Sequence, residues 1–382
     1  MNTRKIGLIN IQHCDSHGAV LLAFAMEKVI SEMGYIPVNL DYSFAGRIIE
    51  NNTLIKILKI LNDWLKKKVR AERFNHRVAG KSVYISYILQ HRNFKSFRKK
   101  YLNLSSKINN PTSRTLYGYD AYIVGSDVVW KPEIVRCKDK DVFFLKFANK
   151  STRKIAYSAS VGTDDYTFLS KYSNDYKDAF DNFDYLSIRE QSMIGFVKQY
   201  TNKTVISVID PVFLIDKSVF SAVEKNNHDE FSKNSYLYLY ILGENKKAIA
   251  ETQIFAESIG CQVLVDLNCD FDNSAQLSLT SESAISDGPD GFIYNIRNAK
   301  YIITDSFHAT AFALIYNIPF CVFGRSNLSV RMNDLLSRFG LVDRKYDGKI
   351  PNGPIDWEKV NKQIERERET GINYLIEALK DV

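Results

Sequence analysis

The chain predicts an α/β protein built from two doubly wound, Rossmann-like domains facing a cleft. Its 382 residues suit two domains at roughly 150 residues each. Short apolar runs alternate with stretches of helical periodicity over nearly the whole length, the pattern of parallel βαβ units. An apolar fraction of 45%, with 13% aromatic residues, lets each domain bury a core and excludes a disordered or fibrous chain.

The first unit opens with Lys5–Asn10 (KIGLIN), a short apolar run. A polar loop, Gln12–Gly18, follows, and then Ala19–Met33 with helical spacing that stops at Gly34. Tyr35–Asp41 supplies the second strand, closing a βαβ unit and implying a parallel sheet. Strand signals recur at Asp120–Val124, Lys154–Ser158, Tyr185–Ile188 and Val205–Ile209. A second series runs through Tyr236–Leu242, Gln262–Leu267, Tyr301–Thr304 and Phe320–Phe323. Charge and Asn interrupt the pattern near Phe213–Phe231. The expected division is 1–220 for an N-terminal α/β domain with a basic helical insert at about 45–110, and 221–356 for a C-terminal α/β domain. Residues 357–382 hold a charged amphipathic helix, Trp357–Leu379, expected to pack back on the N-terminal domain.

Met1–Asn10 is too short and too quickly polar for a signal peptide. No run of about 20 apolar residues exists, as a spanning helix would need. The five cysteines are scattered and lack metal-finger spacing, which argues against a disulfide scaffold or structural zinc. A soluble, cytoplasmic protein without a resident metal is expected.

The net charge of +7 hides a local feature. Residues 51–100 carry fourteen Lys and Arg against only Asp63 and Glu72, a net +12, so the rest of the chain is at −5. Thr53 is placed to cap a helix with Leu54, Ile57, Leu58, Leu61, Trp64 and Leu65 on one face and Lys56, Lys59, Lys66, Lys67 and Arg70 on the other. Such a helix over 53–70 suits peripheral contact with an anionic bilayer. An amphipathic helix packed on its own domain is the commoner case. No recognisable nucleic-acid motif accompanies the charge, so no nucleic-acid partner is expected.

Four loops at the carboxyl ends of strands carry the chemistry-bearing side chains, where parallel sheets bind ligands. Gln12–Ala19 (QHCDSHGA) leads into a helix whose free amides suit an anion. Gly125, Ser126 and Asp127 close one strand, with a plain helix-capping turn as the alternative. Ser187–Glu190 brings Arg189, whose planar fork fits a phosphate or carboxylate unless it merely pairs with Glu190. Thr304–Thr310 places His308 and Ser306 at the start of an apolar helix, where an imidazole can exchange protons with an anionic ligand. A lone His is more often a satisfied structural group.

Taken together, the motifs resemble the polysaccharide pyruvyl transferases. The ordered set comprises Gly-Ala-Val-Leu (Gly18–Leu21), Gly34-Tyr35 with Asp41-Tyr42, and Val-Gly-Ser-Asp-x-x-Trp (Val124–Trp130). It continues with Phe143–Leu145, Ala156–Gly162, Ser-x-Arg-Glu (Ser187–Glu190), Asp210-Pro211, Thr-Asp-Ser-Phe-His (Thr304–His308) and Asn317–Phe320. The family's usual Asn-Tyr before the first Gly is Ser16-His17 here, and Leu22, Val128 and Ala309 also depart from its pattern. The basic segment is the least covered.

The resemblance implies a fold similar to the B-type glycosyltransferases and transfer of the enolpyruvyl group of phosphoenolpyruvate onto two hydroxyls of a sugar. The product would be a pyruvate ketal on a surface polysaccharide or its lipid-linked precursor, with phosphate released. Phosphoenolpyruvate is then the donor substrate and no further cofactor is implied. His308 is expected to transfer a proton or bind phosphate, and Arg189 to clamp the anion. Ser306, Arg325 and Arg331 would join the donor site, with Gly18, Ser126 and Asp127 on the acceptor side. Work at the inner face of a membrane follows if the acceptor is lipid-linked. The rivals are a nucleotide-sugar-dependent glycosyltransferase of the same fold and a non-catalytic partner in a polysaccharide assembly complex.

Overall fold

All ten strand signals become parallel strands in the computed structural model. It describes residues 4–42, 83–108, 110, 112–131, 134, 140–163, 165, 169–227, 233, 235–242, 245–266, 284–285, 287–324 and 330–382. The first sheet contains β1 (Lys5–Ile9), β2 (Ile36–Asn39), β3 (Ala121–Val124), β4 (Arg153–Ala159), β5 (Tyr185–Ile188) and β6 (Val205–Ser207). Its order is β2-β1-β3-β4-β5-β6, so the winding reverses between β1 and β3. The second sheet contains β7 (Tyr236–Tyr240), β8 (Gln262–Asp266), β9 (Ala284–Ile285), β10 (Tyr301–Thr304) and β11 (Phe320–Val322). Its order, β11-β10-β7-β8-β9, reverses at β7 and β10. The two-residue β9 is the one strand that the sequence pattern does not disclose.

Among the described residues, the helices of eight residues or more are α1 (His17–Glu32), α2 (Val83–Tyr101), α3 (Ser173–Phe180), α4 (Lys246–Ser258), α5 (Pro289–Asn298), α6 (Phe307–Tyr316), α7 (Val330–Arg338) and α8 (Trp357–Leu379). Helix α1 starts at His17, two residues ahead of the expected Ala19. Twelve of its sixteen residues are buried, as are nine of the ten in α6. Helices apolar on every side belong inside a protein, and these two lie between the sheets.

Side-chain alternation sorts the core into three layers. In β7, Tyr236, Tyr238 and Tyr240 face a central cluster, and Leu237 and Leu239 face the outer side of the second sheet. The central cluster joins Val20–Ile30 of α1 to Phe292 of α5, Phe312 of α6 and Leu375 of α8. A third cluster, around Trp130, Phe143, Tyr176 and Phe180, covers the outer face of the first sheet. The two sheets therefore share one apolar core.

The last helix, α8, lies against the first sheet. Tyr374 donates from its hydroxyl to the Ala156 carbonyl at 2.8 Å, and Arg153 donates to Ala378 O at 3.1 Å. The Thr53–Arg70 stretch lies outside the described residues. Of the basic segment, α2 is described: Phe94 and Phe97 are buried, while Arg92, Lys95, Lys99 and Lys100 are exposed. Among the described residues no helix is long and apolar enough to cross a membrane.

His17 links the two halves. Its Nδ1 accepts from the Tyr240 hydroxyl at 3.0 Å and its Nε2 donates to the Asp287 carbonyl at 3.1 Å. The ring also stacks on Phe292, 4.4 Å between centroids. Burial lowers its pKa to about 4, outweighing the hydrogen bond to Asp287, so the imidazole is neutral. Burial likewise lowers His13 to about 4. The unfolded chain takes up protons near pH 6.5 that the folded one refuses until about pH 4. Stability therefore falls as pH drops through that window, on the order of 3 kcal/mol for His17. Chemical denaturation of wild type and His17→Phe from pH 7.5 to 4 should show the variant losing less stability on acidification; equal slopes would count against the assignment.

Candidate active site

Three strands of the first sheet, β3, β5 and β6, send their following residues to one point. After β3, Gly125 has φ +120°, and a Cβ there would lie 2.1 Å from the Tyr157 carbonyl oxygen, so only glycine fits. The turn sends Ser126 and Asp127 inward, Asp127 itself at φ 65°. Arg189 and Glu190 follow β5, and Asp210 follows β6, opening the short Pro211–Phe213 turn as its cap.

These side chains form a buried polar knot. Asp210 Oδ2 accepts from Arg189 at 2.8 Å and from Ser126 Oγ at 3.0 Å, and its Oδ1 accepts from Val212 N at 3.1 Å. The other end of the Arg189 fork lies 3.5 Å from Asp127 Oδ1, and its Nε lies 3.6 Å from Glu190 Oε1. Ser160 Oγ donates to Glu190 Oε1 at 2.6 Å. The guanidinium sits over the Phe307 ring, 4.4 Å from its centroid.

The second sheet contributes His308. Ser306 follows β10 and caps α6, accepting from Ala309 N at 3.4 Å, and His308 is the second residue of that helix. Its Nε2 lies 3.6 Å from Asp210 Oδ2, across the boundary between the sheets. From α1, Gly18 comes up against the imidazole: a Cβ at that position would be 2.0 Å from Nδ1. Arg331 reaches in from α7, 3.3 Å from Asp127 Oδ1, with a quarter of its side chain exposed.

The acids are driven apart. Burial would raise Asp127 and Asp210, but Arg189, His308 and, for Asp127, Arg331 hold both carboxyls below their ordinary range. Burial prevails at Glu190, whose pKa rises despite Arg189. Under the same burial, Asp127 and Asp210 thus favour the ionised form while Glu190 is pushed the other way, a division of the kind found where protons are transferred. The cleft over the knot is lined by Arg189, Glu190, Phe307, Arg331 and Arg338, among others.

Of the residues singled out in the sequence, Gly18, Ser126, Asp127, Arg189, Ser306, His308 and Arg331 converge here; Arg325 lies outside the described residues. Arg189, expected as the anion clamp, has its fork engaged by Asp210 and Asp127 and is 4% exposed. Arg331 is the more accessible cation. In the N-terminal loop, Asp15 pairs with Arg98 of α2 at 2.7 Å and with His91 at 2.5 Å, and Arg98 also donates to Gln12 O and Cys14 O. Trp130, which follows the Gly-Ser-Asp turn, is core. Sequence reasoning weighed Glu190 only as a partner for Arg189 and named Asp210 only within the Asp-Pro motif, although their positions just beyond β5 and β6 were the available signal for more.

The fold and the knot together define a two-domain α/β protein of Rossmann-like halves with a polar centre where its sheets meet. The polysaccharide pyruvyl transferase family model matches residues 17–327, and the chain belongs to that family. No curated protein sequence matches the chain. Among solved structures it aligns with a UDP-N-acetylglucosamine 2-epimerase from Rickettsia bellii at 9% identity and TM-score 0.46, covering 99% of each chain. It also aligns with a UDP-GlcNAc 2-epimerase from Neisseria meningitidis bound to UDP-GlcNAc, at 10% identity and TM-score 0.47, covering 99% of this chain and 94% of the other. A glycosyltransferase from Rickettsia africae ESF-5 aligns at 11% identity and TM-score 0.47, covering both chains fully.

Two expectations follow from the packing. Gly18→Ala pushes a methyl into the His308 ring, and displacement of a reacting group by about 1 Å costs about 10²-fold; turnover should fall by that order while circular dichroism stays unchanged. Arg189→Lys cannot serve two carboxylates at once. It should lower stability by about 3 kcal/mol, the scale of a broken buried ion pair, and an unchanged denaturation midpoint would argue against the knot.

Proposed function

We propose that this enzyme transfers the enolpyruvyl carbons of phosphoenolpyruvate onto two hydroxyls of one sugar, making a cyclic pyruvate ketal and releasing phosphate. The observation that carries this reading is the His308 imidazole, held at a helix start 3.6 Å from Asp210, in a knot whose carboxylates Asp210 and Asp127 also bind Arg189 and Arg331. The reaction needs these parts. Protonation of the methylene carbon turns it into a methyl group and leaves an oxocarbenium-like centre, to which the first sugar oxygen adds. Phosphate departs and the second oxygen closes the ring. One hydroxyl proton ends on the methyl carbon and the other on phosphate, so the balance closes without an oxidant or reductant.

In this reading His308 moves the proton, a role typically contributing about 10²–10⁴-fold. Arg331 meets the anionic donor at the mouth of the cleft, with Arg189 fixed behind it. Ser306 and the first amides of α6 complete the phosphate contacts. Gly18, Ser126 and Asp127 border the acceptor side. The acceptor is a sugar of a surface polysaccharide or its lipid-linked precursor, and phosphoenolpyruvate is the only small donor required. The exposed Arg92, Lys95, Lys99 and Lys100 of α2 support contact with an anionic membrane face, which would place the enzyme at the cytoplasmic side of the membrane.

Phosphoenolpyruvate incubated with a panel of lipid-linked and nitrophenyl sugars should yield phosphate and a product heavier by the ketal. His308→Ala should abolish both signals with the fold intact. Consumption of a nucleotide sugar without phosphate release would favour the glycosyltransferase alternative, and an unimpaired His308→Ala would remove the assignment.

A further inference from the structure

Asp210 is fully buried, and its Oδ2 faces three donors: Arg189 at 2.8 Å, Ser126 Oγ at 3.0 Å and His308 Nε2 at 3.6 Å. The first is an ordinary hydrogen bond, and the Ser126 hydroxyl divides its single proton between Asp210 and the Ser158 carbonyl, 2.8 Å away. The third is longer than one, as catalytic contacts often are before substrate binds. Nε2 is itself buried and has no hydrogen-bond partner among the described residues. A buried ring N–H without an acceptor is costly, and Asp210 is the acid that stands opposite it.

The opposite side of the ring is equally constrained. A Cβ on Gly18 would lie 2.0 Å from Nδ1, 2.3 Å from Cγ and 2.6 Å from Cε1. Such near-equal distances place that point over the face of the imidazole, away from the in-plane lone pair of Nδ1. Phe307 meets the ring edge-on, 5.2 Å between centroids. One face is held by Gly18 and the Nε2 edge is turned to Asp210, which leaves the Nδ1 edge for a ligand.

We infer that Asp210 is a positioning residue for His308: it accepts the Nε2 proton and thereby makes Nδ1 the nitrogen that exchanges a proton with substrate. The assignment of the reacting carbon rests on the pyruvyl-transfer reading; the tautomer does not. The two partners come from different sheets, Asp210 after β6 and His308 after β10. The shared apolar core therefore presets their separation, which is how a buried carboxylate fixes an imidazole tautomer and supports its charged form. The charged groups around the ring are the carboxylates of Asp210 and Asp127, with the Arg189 and Arg331 guanidinium groups behind them. On the α1 side Asp15 is already paired with Arg98.

The test reads the ring directly. Nitrogen-15 spectra of the wild-type protein at pH 8, with His308→Ala to assign the signal, should show the Nε2–H tautomer; an Nδ1–H tautomer would overturn the inference. Asp210→Asn keeps the turn cap and removes the charge. It should cut kcat by about 10²-fold, with KM for phosphoenolpyruvate changed less than about threefold, and weaken the preference for the Nε2–H tautomer. A folded Asp210→Asn with an unaltered kcat and an unaltered tautomer would also overturn it. If that variant fails to fold, the wild-type spectrum decides alone. An Nε2–H tautomer in a protein that transfers no pyruvyl group would uphold the role of Asp210 and refute the functional reading.

Discussion

The shared core between the two sheets is the constraint on which the rest depends. Helix α1 is apolar on nearly every side, so it has to be enclosed, and the only enclosure available lies between the sheets, against α5, α6 and the Pro211–Phe213 turn. That placement drives the start of α1 against the start of α6. His17 then has to find partners in the other half, and it does so at Tyr240 and Asp287. Gly18, one residue on, becomes the floor under the His308 ring. A large apolar interface between domains also resists relative motion, so groups that meet across it are held at set distances.

Charge compensation at the edge of that core explains why one arginine is buried and another stays at the rim. Burying Asp127 and Asp210 beside each other would push both toward neutrality. Arg189 prevents this by bridging them, and its own burial is balanced in turn by those acids and Glu190. Such a guanidinium cannot leave its carboxylates for a substrate without exposing uncompensated buried charge. Arg331 is differently situated: it lies 3.3 Å from Asp127 Oδ1, and a quarter of its side chain reaches solvent. The buried arginine therefore shapes the knot, and Arg331 is the more solvent-exposed of the two guanidinium groups.

Much of this architecture was legible in the sequence, because a strand enclosed on both faces writes itself as an unbroken apolar run. Ala121–Val124 and Tyr236–Tyr240 are such runs, and each appears where its pattern lies. Strand β9, two residues long, leaves no period to detect. The loops at the strand ends were legible too, since parallel topology gathers them at one edge. Their partnerships were not. Nothing near Gly18 in the chain announces His308, and the pairing of Asp210 with Arg189 depends on how β5 and β6 lie side by side. His17, grouped in the sequence with the chemistry of its loop, turned out to be a neutral strut. Periodicity reports which face is buried, but not which charge lies opposite.

The departure of Ser16-His17 from the family's usual Asn-Tyr can now be placed. Position 17 lies in the interface between the halves, stacked on Phe292 and flanked by Phe94. What that site demands is a flat ring with a polar edge, able to satisfy one hydroxyl and one carbonyl. A neutral imidazole meets both demands, and a tyrosine would meet the stacking demand with a different reach. The neighbouring position tolerates no such exchange, because any side chain on residue 18 enters the His308 ring. Position 17 thus answers to packing between the halves, while position 18 answers to the space that the His308 ring occupies.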